Sequence, residues 1–179
     1  MEAALSDRLR ENSCAVHVVA RTAAVPMIAE RVVEHARDGR VAIAPRDPLV
    51  DELGLLAELR RAGLSLLPAG DERWRRDLPL ASVGVTGAAL AVLEPAAIGL
   101  ACGPGVPRAT SLVPPVHVCV LRAVDIVPTL ADAIHALAST SLPSALTWIG
   151  GPSRTGDLEM VQTLGVHGPI VTEVVIIGA

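Results

Sequence analysis

The chain has 179 residues, of which 51% are apolar, and a formal net charge of −4 at pH 7. This length and apolar content are sufficient for one domain with a full core, so stability does not require disulfides or metals. The acidic balance and the presence of only two aromatic residues, Trp74 and Trp148, argue against a nucleic-acid-binding surface.

The most apolar stretch, residues 81–106, is interrupted by Glu94 and Pro95. The interruption comes before the stretch reaches the roughly 20 apolar residues that a bilayer-spanning helix needs. The charged beginning, MEAALSDRLREN, lacks the cationic end and apolar centre of a signal peptide. We therefore expect a cytoplasmic protein without a membrane span.

Short apolar runs rich in β-branched residues alternate with helical patterns along the chain. Strands are predicted at 14–20, 41–45, 64–67, 82–86, 97–102, 116–121, 145–149 and 172–177. The first predicted helix ends near Gly39. The second begins with Asp47 as its cap and a proline at the first helical position, and it ends near Gly63. A third helix is predicted to begin at Asp125.

Strands that are apolar throughout and separated by amphipathic helices predict an α/β fold with a mostly parallel sheet flanked by helices. In such sheets the ligand crevice lies beyond the carboxyl ends of the strands. This rule selects three turns, GVTGAA (84–89), CGPGVPRATS (102–111) and GGPSRTGD (150–157). None of them has the glycine spacing of a dinucleotide-binding fingerprint.

The third turn is the strongest candidate for a ligand site. A helix predicted from Thr155 to Gly165 would present free backbone N–H groups and a partial positive charge to a carboxylate or phosphate. The guanidinium of Arg154 would add a two-pronged grip on that anion. In the alternative interpretation Thr155 only caps the helix, Asp157 and Glu159 neutralise its first turn, and Arg154 pairs with Glu159.

The remaining reactive side chains predict little chemistry by themselves. His167 lies between glycines and either forms a turn hydrogen bond or acts in the site. The cysteines Cys14, Cys102 and Cys119 are too widely spaced to hold an iron–sulfur cluster or a structural zinc ion alone. Cys14 and Cys119 lie in apolar runs and are expected to be buried, whereas Cys102 is expected to be more exposed.

Three segments resemble, in order, the signature of the LUD-domain family, also known as the lactate utilisation protein C, YkgG or DUF162 group. They are VGVTGAALAVLE, GPGVPRATSLVPPVHVCVLRAVDIVPTLADAI and GPSRTGDLEMVQTLGVHGP. The resemblance covers about residues 81–177 of a single LUD-like domain spanning 1–179. The first eighty residues match only in element order and are short for the family, which suggests that an N-terminal extension is missing.

The resemblance implies a fold similar to the superfamily of NagB/RpiA sugar-phosphate isomerases and CoA transferases. It implies a role in the oxidation of L-lactate to pyruvate beside two iron–sulfur subunits. Family members lack clusters themselves, so this chain is expected to bind no cofactor and no metal, and the clusters are expected on the partner subunits. A small carboxylate or phosphate is the expected ligand.

The family pattern also implies a set of site residues. Glu94 is the candidate catalytic residue. The candidate anion- or ligand-binding residues are Thr86, Arg108, Ser111, Ser153, Arg154, Thr155, Asp157 and His167, and Glu159, Gly165 and Gly168 also match the pattern. One departure is that Pro95-Ala96-Ala97 follows Glu94, where the family usually has Thr-Gly-Thr.

Three functions remain open. In the first, the chain is a non-redox subunit of an L-lactate-oxidising complex, with Arg108 and Arg154 as anion clamps. In the second, it is a stand-alone CoA transferase or sugar-phosphate isomerase, with Glu94 as nucleophile or base. In the third, it binds a small anion without catalysis. The alternative interpretation of Glu94 is a helix-end residue that faces water.

Overall fold

The computed structural model describes residues 1–37, 39–139, 143–156 and 162–178. Within these ranges the helices are α1 (Glu2–Glu11), α2 (Arg21–His35), α3 (Pro48–Glu52), α4 (Leu55–Arg61), α5 (Trp74–Asp77), α6 (Ala109–Leu112) and α7 (Leu130–Ala138). The strands are β1 (Ala15–Val19), β2 (Arg40–Ile43), β3 (Ser65–Pro68), β4 (Val83–Gly87), β5 (Leu90–Glu94), β6 (Ala97–Cys102), β7 (Val116–Arg122), β8 (Ile126–Thr129), β9 (Ala145–Ile149), β10 (Arg154–Gly156), β11 (Gln162–Leu164) and β12 (Val171–Ile177). None of the helices described there is long and apolar enough to cross a membrane.

The main sheet of the described residues contains six parallel strands in the order β1-β12-β7-β4-β2-β3. The predicted α/β class with a mostly parallel sheet is therefore confirmed. Each apolar run that was predicted as a strand forms one. Because both faces of the main sheet are covered, side chains on both sides of its strands are apolar. These strands therefore lack the alternation of apolar and polar residues that a half-exposed strand shows.

The two faces of the main sheet are covered differently. On one face, helices α2, α3 and α4 pack onto the strands, with Ile28 and Val118 in the same apolar cluster. On the other face lies a second sheet in the order β8-β5-β6-β9, whose Ile98 packs in one cluster with Leu121 of β7. Helix α7 covers the outer side of this second sheet through Ala133. Strands β6 and β9 therefore do not belong to the main sheet.

The helices predicted from Asp125 and from Asp47 have other bounds in the structure. The helix predicted from Asp125 begins only at α7, because the four preceding residues form β8 and pair with β5. Thr129 then caps α7, since its hydroxyl accepts from the Asp132 N–H at 3.2 Å and the Asp132 carboxylate accepts from the Thr129 N–H at 3.1 Å. The helix predicted from Asp47 is divided at Gly54, whose φ of +62° is left-handed.

The carboxylate of Asp47 links the first turn of α3 to the end of β4. Its Oδ1 accepts from the N–H groups of Leu49 (3.0 Å) and Val50 (3.2 Å) and caps α3, as the sequence predicted. Its Oδ2 accepts from the N–H of Gly87 at the end of β4, at 2.9 Å. Burial raises the pKa of Asp47, although the three backbone donors act to lower it.

The segment after β9 forms a hairpin where a helix was predicted. Strands β10 and β11 pair antiparallel, with Thr155 opposite Thr163. The pairing extends to the base of the hairpin, where the N–H of Gly165 donates to the carbonyl of Ser153 at 2.9 Å. The helix prediction is therefore wrong for both strands, and Thr155 is not a helix cap.

Helix α6 is held close to the main sheet by a glycine beneath it. An ideal Cβ on Gly84 of β4 would lie 1.9 Å from the carbonyl oxygen of Thr110. We expect Gly84→Ala to lower the free energy of unfolding by about 3 kcal/mol, because the backbone of α6 must move to make room. Urea unfolding followed by circular dichroism measures this change.

Gly103→Ala is the matched control, because a Cβ at Gly103 would lie 4.0 Å from its nearest neighbour, the Ser144 hydroxyl. We expect this variant to stay within about 0.5 kcal/mol of the wild type. Similar unfolding midpoints for the two variants would contradict the close approach of α6 to β4.

Candidate functional site

A cleft of about 220 Å³ lies where α6, the end of β9 and the amino ends of β7 and β12 meet. Its polar lining is formed by Ser111, His117, Thr147, Ser153, His167 and Thr172. The remaining lining is apolar or glycine, and none of the described lining residues is an aspartate, a glutamate or an arginine. The part of its wall that the structure describes therefore combines apolar surface with hydroxyl and imidazole groups and has no carboxylate or guanidinium.

This position differs from the one predicted at the carboxyl ends of the strands. His117 and Thr172 are the second residues of β7 and β12, so the cleft lies at the opposite end of the main sheet. The rule that ligands bind beyond the carboxyl ends of the strands applies to sheets whose two faces are covered by helices. Here a second sheet covers one face, and the end of its strand β9 forms one wall of the cleft.

Two of the side chains that line the cleft are polar and almost fully buried. His117 and Thr172 are partners in the β7–β12 register and are 0% and 1% exposed. Within the described residues, His117 Nδ1 and Thr172 Oγ1 have no hydrogen-bond partner. We call these two side chains the polar floor. Because leaving a buried polar atom unsatisfied costs about 1–3 kcal/mol, the polar floor favours a water molecule or a polar ligand.

The imidazole of His117 is neutral at physiological pH. Burial lowers the pKa of His117 to about 4. Its Nε2 lies 2.9 Å from the Oγ1 of Thr86, which is itself buried in β4. Thr86, a predicted ligand-binding residue, therefore lies behind His117 and outside the described lining of the cleft.

Three of the predicted binding residues line the cleft together: Ser111, Ser153 and His167. The hydroxyl of Ser111 donates to the carbonyl of Arg108 at 3.0 Å, and the hydroxyl of Ser153 accepts from the N–H of His167 at 3.2 Å. The His167 residue is exposed. Their role in ligand binding remains a prediction.

The two predicted arginine clamps are outside the described lining of the cleft. The guanidinium of Arg154 donates to the carbonyl of Asn12, at 3.3 Å, and to the Ser13 hydroxyl, which follow α1. It lines a separate shallow cleft that shares only Gly150 and Gly151 with the first. Arg108 is exposed at the start of α6.

The helix predicted after Gly151 also contained Thr155, Asp157 and Glu159 in its first turn. Thr155 lies in β10, and Asp157 and Glu159 lie outside the described residues. Because the described part of this turn forms a strand, the argument for anion binding at a helix N-terminus does not apply to Thr155.

Glu94 does not belong to the described lining of the cleft either. It is the last residue of β5, its side chain is 63% exposed, and it forms an ion pair with Arg8 of α1 at 2.9 Å. The Pro95-Ala96-Ala97 segment, which departs from the family pattern, is the tight connection from β5 to β6. An exposed carboxylate paired with an arginine lacks the desolvation that activates a nucleophile or a general base.

All three cysteines are buried. The expectation that Cys102 is exposed is wrong, because it belongs to β6 and its Sγ lies 3.9 Å from the Thr147 hydroxyl of the adjacent strand β9. Burial raises the pKa of Cys14 to about 11 and that of Cys119 to about 12, which disfavours thiolates. No group of three or more possible metal ligands occurs among the residues that the structure describes.

Sequence reasoning also missed a buried carboxylate on the opposite, helix-covered face of the main sheet. Glu173 of β12 is 4% exposed, and its Oε1 lies 2.5 Å from His35 Nε2. Its Oε2 lies 3.3 Å from His17 Nε2. Only Oε1 forms a hydrogen bond, to His35, whereas Oε2 and His17 Nε2 have no hydrogen-bond partner among the described residues, and the carboxylate lies on the face opposite the cleft.

These features define an α/β protein whose six-stranded and four-stranded sheets pack together, with a cleft between them whose described lining holds no aspartate, glutamate or arginine. The LUD domain family matches residues 3–177, and the chain belongs to this family. It is similar in structure to a DUF162 family protein from Deinococcus radiodurans, with a TM-score of 0.73 and 25% identity. That similarity covers 99% of this chain and 96% of the other.

Sequence relatives agree with this assignment. The lactate utilization protein C of Deinococcus radiodurans is 34% identical over 128 residues, and that of Halalkalibacterium halodurans is 31% identical over 137 residues. These alignments cover 70% and 73% of this chain but only 60% of each relative. The uncharacterized protein YkgG of Escherichia coli is 31% identical over 147 residues, covering 78% of this chain and 63% of that protein.

The buried neutral His117 makes stability depend on pH. Its pKa falls from 6.5 to about 4 on folding, so between these values the unfolded chain binds more protons than the native one. Stability is therefore retained above pH 6.5 and lost as the pH falls towards 4. Between pH 7.5 and pH 5 we expect this histidine to lower the free energy of unfolding by about 2 kcal/mol.

Urea unfolding at pH 7.5 and at pH 5 measures how far the free energy of unfolding falls in the wild type and in His117→Gln. The variant lacks the titrating group. The control is His135→Gln, since His135 is exposed on α7. We expect a smaller pH dependence in His117→Gln only. An unchanged dependence in His117→Gln would show that other groups cause the loss.

Proposed function

We propose that this chain is a non-redox component of a lactate-utilisation system and that its cleft binds a small 2-hydroxy or 2-oxo carboxylate. The observation that carries the proposal is the polar floor, in which His117 and Thr172 lie buried side by side in a cleft of about 220 Å³. A small molecule with a carboxylate and an adjacent oxygen can contact both side chains at once. The names of relatives called lactate utilization protein C suggest lactate and pyruvate as the first ligands to test.

The uncharged lining is compatible with a small carboxylate that is held by hydroxyl and backbone N–H groups. Ser111 and Ser153 contribute hydroxyls at the wall of the cleft, and Gly150, Gly151 and Gly168 bring the backbone close. A phosphate dianion is less favoured, because such ligands are usually held by arginine or lysine or by a helix N-terminus.

The non-redox part of the proposal assigns electron transfer to iron–sulfur clusters on partner subunits. Cluster ligation requires several cysteine thiolates close together. This chain has three cysteines, fewer than the four thiolates that a cluster usually takes, and all three are buried in one apolar cluster, Cys14 just before β1, Cys102 in β6 and Cys119 in β7. Their burial disfavours the thiolate form, as the raised pKa values of Cys14 and Cys119 indicate.

A stand-alone CoA transferase or sugar-phosphate isomerase is less favoured. That hypothesis depends on Glu94 as nucleophile or base, whereas Glu94 is exposed and paired with Arg8. The likeness to the wider isomerase and transferase superfamily remains a prediction. Binding of a ligand without catalysis is compatible with membership of a complex. Thermal shifts test the first hypothesis, and anaerobic co-purification tests the second.

The ligand hypothesis predicts a thermal shift of the purified chain with L-lactate or pyruvate. A ligand at a hundredfold excess over its Kd stabilises the native state by about 2.7 kcal/mol. We expect Thr172→Val, which removes one hydroxyl but keeps the side-chain shape, to weaken binding roughly three- to tenfold. Thr22→Val on the exposed surface of α2 is the matched control and is expected to bind like the wild type.

Arg154→Lys distinguishes the cleft from the arginine-clamp hypothesis. If Arg154 holds the anion, this variant weakens binding because a point charge replaces a two-pronged donor. If the polar floor holds it, Arg154→Lys binds like the wild type and Thr172→Val does not. Absence of any shift with lactate, pyruvate or phosphate would contradict ligand binding by this chain.

Complex membership predicts that the tagged chain co-purifies with iron–sulfur proteins from its own cells under anaerobic conditions. We expect iron, acid-labile sulfide and the visible absorbance of clusters in the eluate. The reducing, oxygen-free buffer prevents loss of clusters from the partners. A control purification of an unrelated tagged protein identifies proteins that bind the resin. An eluate without iron–sulfur proteins would contradict the proposed partnership.

A further inference from the structure

A chain of buried hydrogen bonds extends from the polar floor into the main sheet. His117 Nε2 lies 2.9 Å from Thr86 Oγ1, and the Thr86 hydroxyl donates to the Cys119 Sγ at 3.8 Å. The Cys119 thiol in turn donates to the carbonyl of Val120 at 4.0 Å. Thr86, His117 and Cys119 are all buried, so no bulk water competes for these groups.

This chain of contacts determines which nitrogen of the neutral imidazole carries the proton. In one arrangement His117 Nε2–H donates to Thr86 Oγ1, the hydroxyl donates to Cys119, and the thiol donates to Val120. Every polar hydrogen then has an acceptor, and only the lone pair on Nδ1 is left over. In the other arrangement Thr86 donates to Nε2, and the proton moves to Nδ1.

The second arrangement would bury an N–H group that has no acceptor among the described residues. Buried N–H groups without acceptors are rare in native proteins, whereas an unused lone pair is better tolerated. The first arrangement is therefore favoured, even though its hydroxyl-to-sulfur bond is long and weak. Burial also lowers the pKa of His117 to about 4, so the ring is neutral at pH 7 and carries a proton on only one of its two nitrogens.

We propose that Thr86 and Cys119 hold His117 in the Nε2–H tautomer, so that Nδ1 accepts a hydrogen bond from a hydroxyl of the bound ligand. This inference rests on the proposed function, since it concerns the ligand of the same cleft. A 2-hydroxy acid presents such a hydroxyl. A 2-oxo acid presents only lone pairs, which would face the lone pair of Nδ1. The cleft therefore selects the hydroxy acid over the oxo acid.

Thr172 provides a second contact to the same ligand. Its hydroxyl is the register neighbour of His117 on β12, and it has no hydrogen-bond partner among the described residues. Because a threonine hydroxyl is both a donor and an acceptor, it can donate to the carboxylate of the same ligand. In this assignment Thr86 and Cys119 are positioning residues, and His117 and Thr172 are the ligand contacts.

The tautomer is tested first, without any ligand. The protein is labelled with ¹⁵N in its histidine rings, and the His117 signals are assigned by their loss in His117→Gln. We expect Nε2 to carry the proton and Nδ1 to be unprotonated. Finding the proton on Nδ1 in the wild type would overturn the proposal.

Cys119→Ala provides a directional check on the positioning role. Without the sulfur acceptor, either tautomer leaves one buried donor unpaired, the Thr86 hydroxyl or His117 Nδ1–H, so we expect the preference for Nε2–H to be lost and a protonated Nδ1 to appear beside it. Thr86→Val removes the hydroxyl altogether and serves as a second variant that perturbs the tautomer. Thr22→Val is expected to leave the His117 signals unchanged. A Cys119→Ala protein whose His117 keeps the wild-type tautomer would contradict the positioning role.

Ligand selection is tested by calorimetric titration of the wild type and Cys119→Ala with L-lactate and with pyruvate. We expect the wild type to bind L-lactate about tenfold more tightly than pyruvate, and Cys119→Ala to lose this preference. Equal affinity of the wild type for both would overturn the inference but leave the proposed function standing. Binding of neither would overturn the proposed function, and the proposed ligand selection with it.

Discussion

The cleft depends on the parallel register between β7 and β12. This register places His117 beside Thr172 and, two residues further along each strand, Cys119 beside Val174. All four side chains face the second sheet, but only the later pair belongs to the apolar cluster that joins the two sheets. The two sheets therefore pack tightly over one part of β7 and β12, and the polar pair at the amino ends forms the floor of a cleft.

Burial determines the chemistry of that cleft. Desolvation keeps His117 neutral and the Cys119 thiol protonated, so the groups behind the polar floor act as hydrogen-bond donors and acceptors rather than as charges. The charged side chains behave differently, since pairs such as Arg8–Glu94 are exposed and each contributes only about 0–1 kcal/mol to stability. Shape and hydrogen bonding, rather than fixed charge, are expected to decide what the cleft binds.

The candidate site was only partly predictable. Ser153 could be selected from the polar turn after an apolar strand, and Ser111 and His167 from the resemblance to the family pattern, and all three line the cleft. His117 and Thr172 were missed because each lies inside an apolar strand, where a single polar residue does not disturb the pattern. A polar residue in a strand that is apolar on both sides is itself a signal, since its burial needs a partner or a ligand.

The sequence by itself determined the positions of the main strands and the α/β class, because a strand buried on both faces leaves a continuous apolar run that is a local property. It also determined the cap at Asp47, since capping involves only neighbouring residues. Only the tertiary structure decided that β6 and β9 join β5 and β8 in a second sheet, and that residues 154–156 pair with 162–164. Strand pairing and sheet packing join residues that are distant in the chain, so no local pattern records them, and the position of the cleft follows from them.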